Sequence, residues 1–294
     1  MRVFGKINLF LNVAKLGGDL AVFHDIQSVF APCFDIYDEI SVSVCEKSQA
    51  GVFFAVSENI LKCGREDYIA DYEKKVANLA SFEDNTKKAM RLFFEKFGNQ
   101  NIRVEIKKGI PFLAGMGGSS ADAVGVLKCL CEMAGKSYSD VAKICDAVGS
   151  DLAGMWSGGV NFCWGRGENA VEIAENLGGY AVVCVPNFGI STREIFAKFD
   201  SDQSENAHFE YAKNKNYNFI SEFPNLTNAL EKSAFSAFPK MREFADGLSA
   251  KTGEKFLMTG SGSGVFSLCY DMAKANEIHD KIKGFSGFSC ITRV

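Results

Sequence analysis

Between residues 111 and 123 the chain reads Pro-Phe-Leu-Ala-Gly-Met-Gly-Gly-Ser-Ser-Ala-Asp-Ala, and no other stretch of its 294 residues restricts the fold so tightly. Ahead of it, Ile102 to Lys107 alternates apolar and polar as a strand does. Behind it, Ser119 to Met133 carries Val124, Val126, Leu127 and Leu130 on most sides, the pattern of a buried helix. Glycines between a strand and a buried helix let the backbone approach a ligand closely. Successive N–H groups in such a loop form an anion nest, and the helix N-terminus adds partial positive charge. With the hydroxyls of Ser119 and Ser120 at the same mouth, the segment predicts a site for nucleotide phosphates.

This is not one of the commoner phosphate loops. Gly135-Lys136-Ser137 ends like a Walker A loop, but Leu130 stands where that pattern needs glycine. No GxGxxG leads from a strand into a helix, and the HRD and DFG elements of protein kinases are absent.

The first segment alternates as well. Val3, Gly5, Ile7, Leu9, Leu11 and Val13 are expected on one strand face, with Lys6, Asn8 and Asn12 on the other. A lysine and an asparagine thus stand side by side. Ile36 to Val44 is a further strand. Lys87 to Phe97 and Ser137 to Val148 read as helices, the second capped by Ser137 or Ser139 and stopped by Gly149. After Gly158-Gly159 strands dominate: Val160 to Trp164, Ala170 to Ile173 and Tyr180 to Pro186. The polar stretch Ser201 to Asn218 reads as a loop with a short helix. Helical segments then run to about Ala250, followed by a strand at Gly264 to Tyr270 and a helix at Met272 to Ile282. Strands and helices mix without strict alternation, so the expectation is an α+β chain of two domains, 1–157 and 158–294.

A net charge of −4 argues against a nucleic-acid partner. The ten cysteines form no CxxC pair and several lie in apolar runs, as expected of reduced core thiols. Lys6 and Asn8 interrupt the first apolar residues, so no signal peptide is expected, and no run approaches the roughly 20 apolar residues of a membrane span. These features predict a cytoplasmic protein.

Three motifs, in order and spread over most of the chain, resemble the signatures of the GHMP kinases. Gly5-Lys6-Ile7-Asn8-Leu9-Phe10-Leu11 resembles the first, Pro111 to Ala121 the central one (with Met116 for the usual leucine), and Leu257 to Phe266 the third, a second glycine-rich loop. Gly149-Ser150-Asp151 resembles the Gly-(Ser/Ala)-Asp-Val-Pro segment of the diphosphocytidyl-methylerythritol kinases within that family, with Leu152-Ala153 in place of Val-Pro. The central loop is one glycine shorter than theirs.

The resemblance implies a two-domain GHMP kinase fold: an N-terminal domain like ribosomal protein S5 domain 2 and a ferredoxin-like C-terminal domain. It implies ATP with Mg²⁺ as donor and Lys6 with Asp151 as the catalytic pair, and leaves the metal ligands open. It also implies a nucleotide site at Pro111, Gly115, Gly117, Gly118, Ser119 and Ser120, with Asn85 and Lys108 beside it and Gly260, Ser261 and Gly262 packed against it. Phe23 to Phe30 and Pro186 to Phe196 resemble that group's acceptor segments. They imply Phe23 and Phe196 on either side of a cytosine, His24 at its edge, and Thr192 and Asn8 near the reacting group. The implied acceptor is a cytidine diphosphate-linked polyol, phosphorylated on its 2-hydroxyl in isoprenoid synthesis. Alternatives are another GHMP kinase acting on homoserine, mevalonate or a sugar, or a nucleotide-binding regulatory protein without turnover. The oligomeric state is left open.

Overall fold

A computed structural model of the chain describes residues 1–15, 24–202 and 218–294. The expected residue Phe23 and most of the polar stretch after Ser201 lie outside the described residues.

The alternating first segment forms β1 (Arg2–Lys15), paired antiparallel along almost its whole length with β2 (His24–Val44), from Arg2 opposite Glu39 to Lys15 opposite His24. The register slips between Phe4 and Gly5 and again between Asn8 and Phe10. An extra residue in one strand moves all later side chains to the opposite face. This overturns the single apolar face expected for β1. Ile7 and Leu9 join the larger core, whereas Leu11 and Val13 turn into a second one. The polar face is buried too, with Lys6, Asn8 and Asn12 each about 5% exposed or less.

Four more strands complete the first sheet: β3 (Gly51–Val56), β4 (Ile102–Lys108), β5 (Val160–Gly165) and β6 (Asn169–Ala174). Their order is β3-β4-β2-β5-β6, with β1 on β2. Around them lie α1 (Glu58–Cys63), α2 (Glu66–Asn78), α3 (Asn85–Phe97), α4 (Gly118–Ala134), α5 (Tyr138–Val148) and α6 (Leu152–Ser157). Asp84 caps α3 by accepting from the Lys87 N–H at 2.9 Å, and a capping box at Ser137 and Asp140 starts α5. Gly149 ends α5 in an extended conformation, not a left-handed one.

The second sheet is antiparallel, in the order β10-β7-β9-β8: β7 (Tyr180–Val185), β8 (Leu257–Met258), β9 (Val265–Cys269) and β10 (Phe288–Arg293). Helices α7 (Thr192–Ser201), α8 (Glu231–Ala237), α9 (Pro239–Thr252) and α10 (Met272–Ile282) accompany it. The change between sheets does not fall at the expected 157/158 boundary. Strands β5 and β6 come after that point yet pair within the first sheet, so the chain crosses over between Ala174 and Tyr180. All ten cysteines are free thiols. Among the described residues, no helix is long and apolar enough to cross a membrane.

Candidate active site

The turn after β4 is set from beneath. Asp38 on β2 accepts hydrogen bonds from the Gly109 and Ile110 N–H groups, and the Tyr72 hydroxyl donates to the Ile110 carbonyl at 2.9 Å. Buried Pro111 then leads into the glycine loop. Gly115 and Gly117 both have φ near +70°, a conformation that side chains disfavour. Gly117 caps α4, whose first backbone hydrogen bond runs from the Ala121 N–H to the Gly117 carbonyl at 2.8 Å. The N–H groups ahead of it, on Gly118, Ser119 and Ser120, have no acceptor within the helix and point out of its N-terminal end. Ser119 is exposed there and Ser120 is mostly buried. Asn85 is brought to the same end of α4. A Cβ placed on Gly149 would lie 3.5 Å from Asn85 Nδ2 and 3.9 Å from Ser120 Oγ.

The second glycine-rich loop lies directly on the first. Ser263 and Gly264 donate their N–H groups to the Leu113 and Ala114 carbonyls, at 2.8 and 3.1 Å. The contact is backbone on backbone. A Cβ on Gly115 would fall 2.0 Å from the Thr259 carbonyl oxygen, and one on Gly262 would fall 1.9 Å from the Gly115 nitrogen. Neither position has room for a side chain.

Lys6 and Asn8 project into the space beside these loops. Lys6 Nζ donates to Asn8 Oδ1 at 2.6 Å and to the Gly115 carbonyl at 2.9 Å, and lies 3.5 Å from the Asp151 carboxylate. Asn8 is held in turn. Its Nδ2 donates to Ser28 Oγ at 2.8 Å, and its backbone N–H donates to Thr259 Oγ1 at 3.0 Å. Asp151 holds the N-cap position of the short helix α6 without a side-chain capping hydrogen bond, and its side chain is more than a third exposed. A buried, hydrogen-bonded ammonium thus faces an accessible carboxylate beside a helix N-terminus.

Both groups open into a cleft of about 230 Å³ between the two sheets' loops. Of the residues expected at the site, Lys6, Asn8, Gly115, Gly117, Asp151, Thr192, Phe196, Gly260 and Ser261 line it. Thr192 Oγ1 meets Ser261 Oγ at 2.9 Å, tying the start of α7 to the second loop. His24 does not line the cleft but packs on Phe196, which does, with the two rings 4.8 Å apart and its Nε2 2.9 Å from Asp200. Leu11, Ile26, Phe30, Ser150, Gly167 and Leu230 also line the cleft and were not expected there. The alternation from His24 to Phe30 was a usable signal for Ile26 and Ser28. Leu11 was hidden by the bulge in β1.

Lys108, expected beside the nucleotide loop, lies behind the head of α4 and does not line the cleft. It is 2% exposed, and its Nζ donates to Asp38 and Asp122, the latter at 2.5 Å. Burial alone would push the ammonium's pKa down. The Asp122 and Asp38 carboxylates outweigh this and hold it above the usual lysine value. Burial also raises the Asp122 pKa well above the carboxylate range. The ammonium lies behind the first turn of α4, 3.8 Å from where a Cβ on Gly118 would be, and is sealed from the cleft.

Residues 84–164 match the family model of the GHMP kinases N terminal domain. A 4-diphosphocytidyl-2-C-methyl-D-erythritol kinase of Petrotoga mobilis is 28% identical over 279 residues, which cover 92% of this chain and 98% of the relative. One of Clostridium kluyveri is 26% identical over 289 residues, covering 96% of this chain and 95% of the relative. Among solved structures, a 4-(cytidine 5'-diphospho)-2C-methyl-D-erythritol kinase superposes with a TM-score of 0.71 at 23% identity, covering 99% of this chain and 98% of the other. The mevalonate kinase of L. major superposes with a TM-score of 0.61 at 14% identity, covering 99% and 95%. Residues 84–164 are thus similar to the N-terminal domain of the GHMP kinases, and over almost its whole length the chain shares the two-domain α+β fold of these solved kinases.

Proposed function

We propose that the protein is an ATP-dependent small-molecule kinase that phosphorylates the 2-hydroxyl of 4-diphosphocytidyl-2-C-methyl-D-erythritol. The observation that carries this reading is the Lys6–Asp151 pair, 3.5 Å apart, opening into one cleft with the glycine loop and with Phe196. The names of the relatives, which match over more than nine-tenths of this chain, support the acceptor.

In phosphoryl transfer the protein mainly positions the groups and stabilises charge. The N–H groups of Gly118, Ser119 and Ser120 at the head of α4 hold the ATP phosphates. Asp151 receives or orients the acceptor hydroxyl, and Lys6 places positive charge where the phosphoryl group passes. Mg²⁺ bound with the nucleotide would supply further charge neutralisation, and such an ion takes most of its ligands from phosphates and water. The exposed Ser119 hydroxyl fits this role on the protein side. Asp122 does not, because it is buried with its Oδ2 bonded to Lys108. The acceptor's base lies against Phe196 with His24 at its edge, and Asn8 and Thr192 face the polyol. Catalysis in the cytoplasm suits a chain whose ten cysteines are all free.

Coupled ADP release with Mg²⁺-ATP, measured against the cytidylyl polyol, homoserine, mevalonate and galactose, tests the reading. Turnover confined to the cytidylyl substrate is expected. Turnover with another of the alcohols would keep the kinase and remove this acceptor, and silence with all four would favour a regulatory protein that binds nucleotide without turnover.

A further inference from the structure

Two ladders of side chains converge at His24. On β2, His24, Ile26, Ser28 and Phe30 share a face by the two-residue period of a strand, and the last three line the cleft. On α7, Thr192, Phe196 and Asp200 recur every four residues on one helix face, and the first two line the cleft. The ladders meet in the contact between His24 Nε2 and Asp200 Oδ1, 2.9 Å long. Phe196 and Phe199 lie against the imidazole at centroid distances of 4.8 and 6.2 Å, inclined to it by 47° and 68°, and fix its plane. The ring is held in both position and roll.

We propose that Asp200 is a positioning residue that sets the tautomer of His24 and so makes the cleft selective for a nucleobase bearing an exocyclic amino donor. This rests on the reading of the cleft as a cytidylyl site. An ionised carboxylate can only accept a hydrogen bond, so the proton of the neutral imidazole is on Nε2. Nδ1 then has a bare lone pair and acts as an acceptor. Cytosine presents an amino group at position 4, which donates to such an acceptor, whereas uracil presents a carbonyl oxygen, which faces it lone pair to lone pair. A buried polar group left unpaired by the wrong ligand discriminates far more strongly than a difference in apolar contact. Asp200 therefore decides which base is accepted without touching it.

The test compares cytidine diphosphate with uridine diphosphate by calorimetry at saturating ADP, so that the adenine site is filled. Wild type, Asp200→Asn and Asp200→Ala are compared, and nitrogen NMR reads the His24 tautomer in each. Wild type is expected to carry the proton on Nε2 and to prefer the cytidine nucleotide. Both variants lose the fixed tautomer, and the preference falls by about tenfold or more. In turnover, the acceptor KM rises while the ATP KM stays within about twofold, a split that a general loss of structure would not give. A wild-type ring protonated on Nδ1, or on both nitrogens, would overturn the proposal, as would an unchanged base preference in Asp200→Asn. The binding comparison needs no turnover. Loss of the kinase reading with the base preference intact is thus distinguishable from failure of this inference.

Discussion

The Lys6 ammonium stands 3.5 Å from the Asp151 carboxylate while it donates to the Gly115 carbonyl of the phosphate loop at 2.9 Å. One side chain thus joins the loop to the group proposed to receive the acceptor hydroxyl. Asp151→Asn keeps the shape and removes the charge. Turnover should fall by about 10²- to 10⁴-fold, with the ATP Kd within a few-fold of wild type. Lys6→Met should cost turnover as well and also weaken ATP binding, because the Gly115 carbonyl and Asn8 lose their partner. Isothermal titration with a non-hydrolysable ATP analogue, set beside kcat, separates the two. If Asp151→Asn lost ATP binding in parallel with kcat, the aspartate would be holding structure and not chemistry.

The stacked loops make a second expectation. Gly262 meets the Gly115 backbone so closely that a methyl group has no free direction, and Gly115 adds a positive φ to the same problem. Gly115→Ala and Gly262→Ala should each destabilise the fold by about 1–3 kcal/mol and abolish turnover in the protein that remains folded. Gly135 is the control. It also has a positive φ, but a Cβ there would meet nothing within 4 Å among the described residues. Gly135→Ala should cost stability only and leave the kinetics alone. Urea denaturation midpoints with parallel kcat measurements check this, and a Gly262→Ala enzyme with wild-type turnover would contradict it.

What the sequence revealed and hid follows from the range of the interactions. The Lys6–Asn8 adjacency is local and survives folding, as does the strand–glycine–helix order around residues 102–134. The turn of Leu11 into the second core depends on a bulge in the pairing with β2, which no single-strand pattern encodes. Lys108 looks the same in sequence whether it faces a ligand or the core. Its partner Asp38 is 70 residues away and decides the matter. Other omissions had signals. Tyr68, Tyr72 and Val76 recur at helical spacing in α2, and Phe288, Cys290 and Thr292 alternate in β10. The resemblance placed His24 at the edge of a base as an expectation, but its partner Asp200 is 176 residues away and had no sequence mark.

The buried trio behind α4 gives a third prediction. Lys108→Met leaves Asp38 and Asp122 buried without their cation, and breaking a buried pair from one side costs about 3–5 kcal/mol. The loss should appear as a lower denaturation midpoint, and ATP affinity measured on the folded fraction should change little. Asp122→Asn should be milder, since burial already favours the uncharged form of that carboxyl. A stable Lys108→Met protein with greatly weakened ATP affinity would return the lysine to the nucleotide site.

The last prediction concerns pH and the seam between the sheets. Asp35 on β2 accepts from the Arg293 side chain at 2.8 and 3.1 Å and from its backbone N–H at 2.9 Å, and the Thr292 hydroxyl accepts from the Asp35 N–H at 3.1 Å. Partial burial works to raise the Asp35 pKa, but the hydrogen bonds and charge of Arg293 prevail and leave it below the usual aspartate value. An acid whose folded pKa is lowered stabilises the fold above its unfolded pKa of about 3.9, and that contribution is lost as pH falls through the folded value. Wild type should therefore exceed Asp35→Asn in stability at about pH 6, and the gap should narrow as the pH falls below the unfolded pKa of about 3.9. The pair is more than a third exposed, so added salt should also shrink the gap. Thermal denaturation at several pH values and two salt concentrations reads both effects. A gap that stayed constant with pH would mean that Asp35 acts through its backbone hydrogen bonds alone and that its charge contributes nothing to the seam.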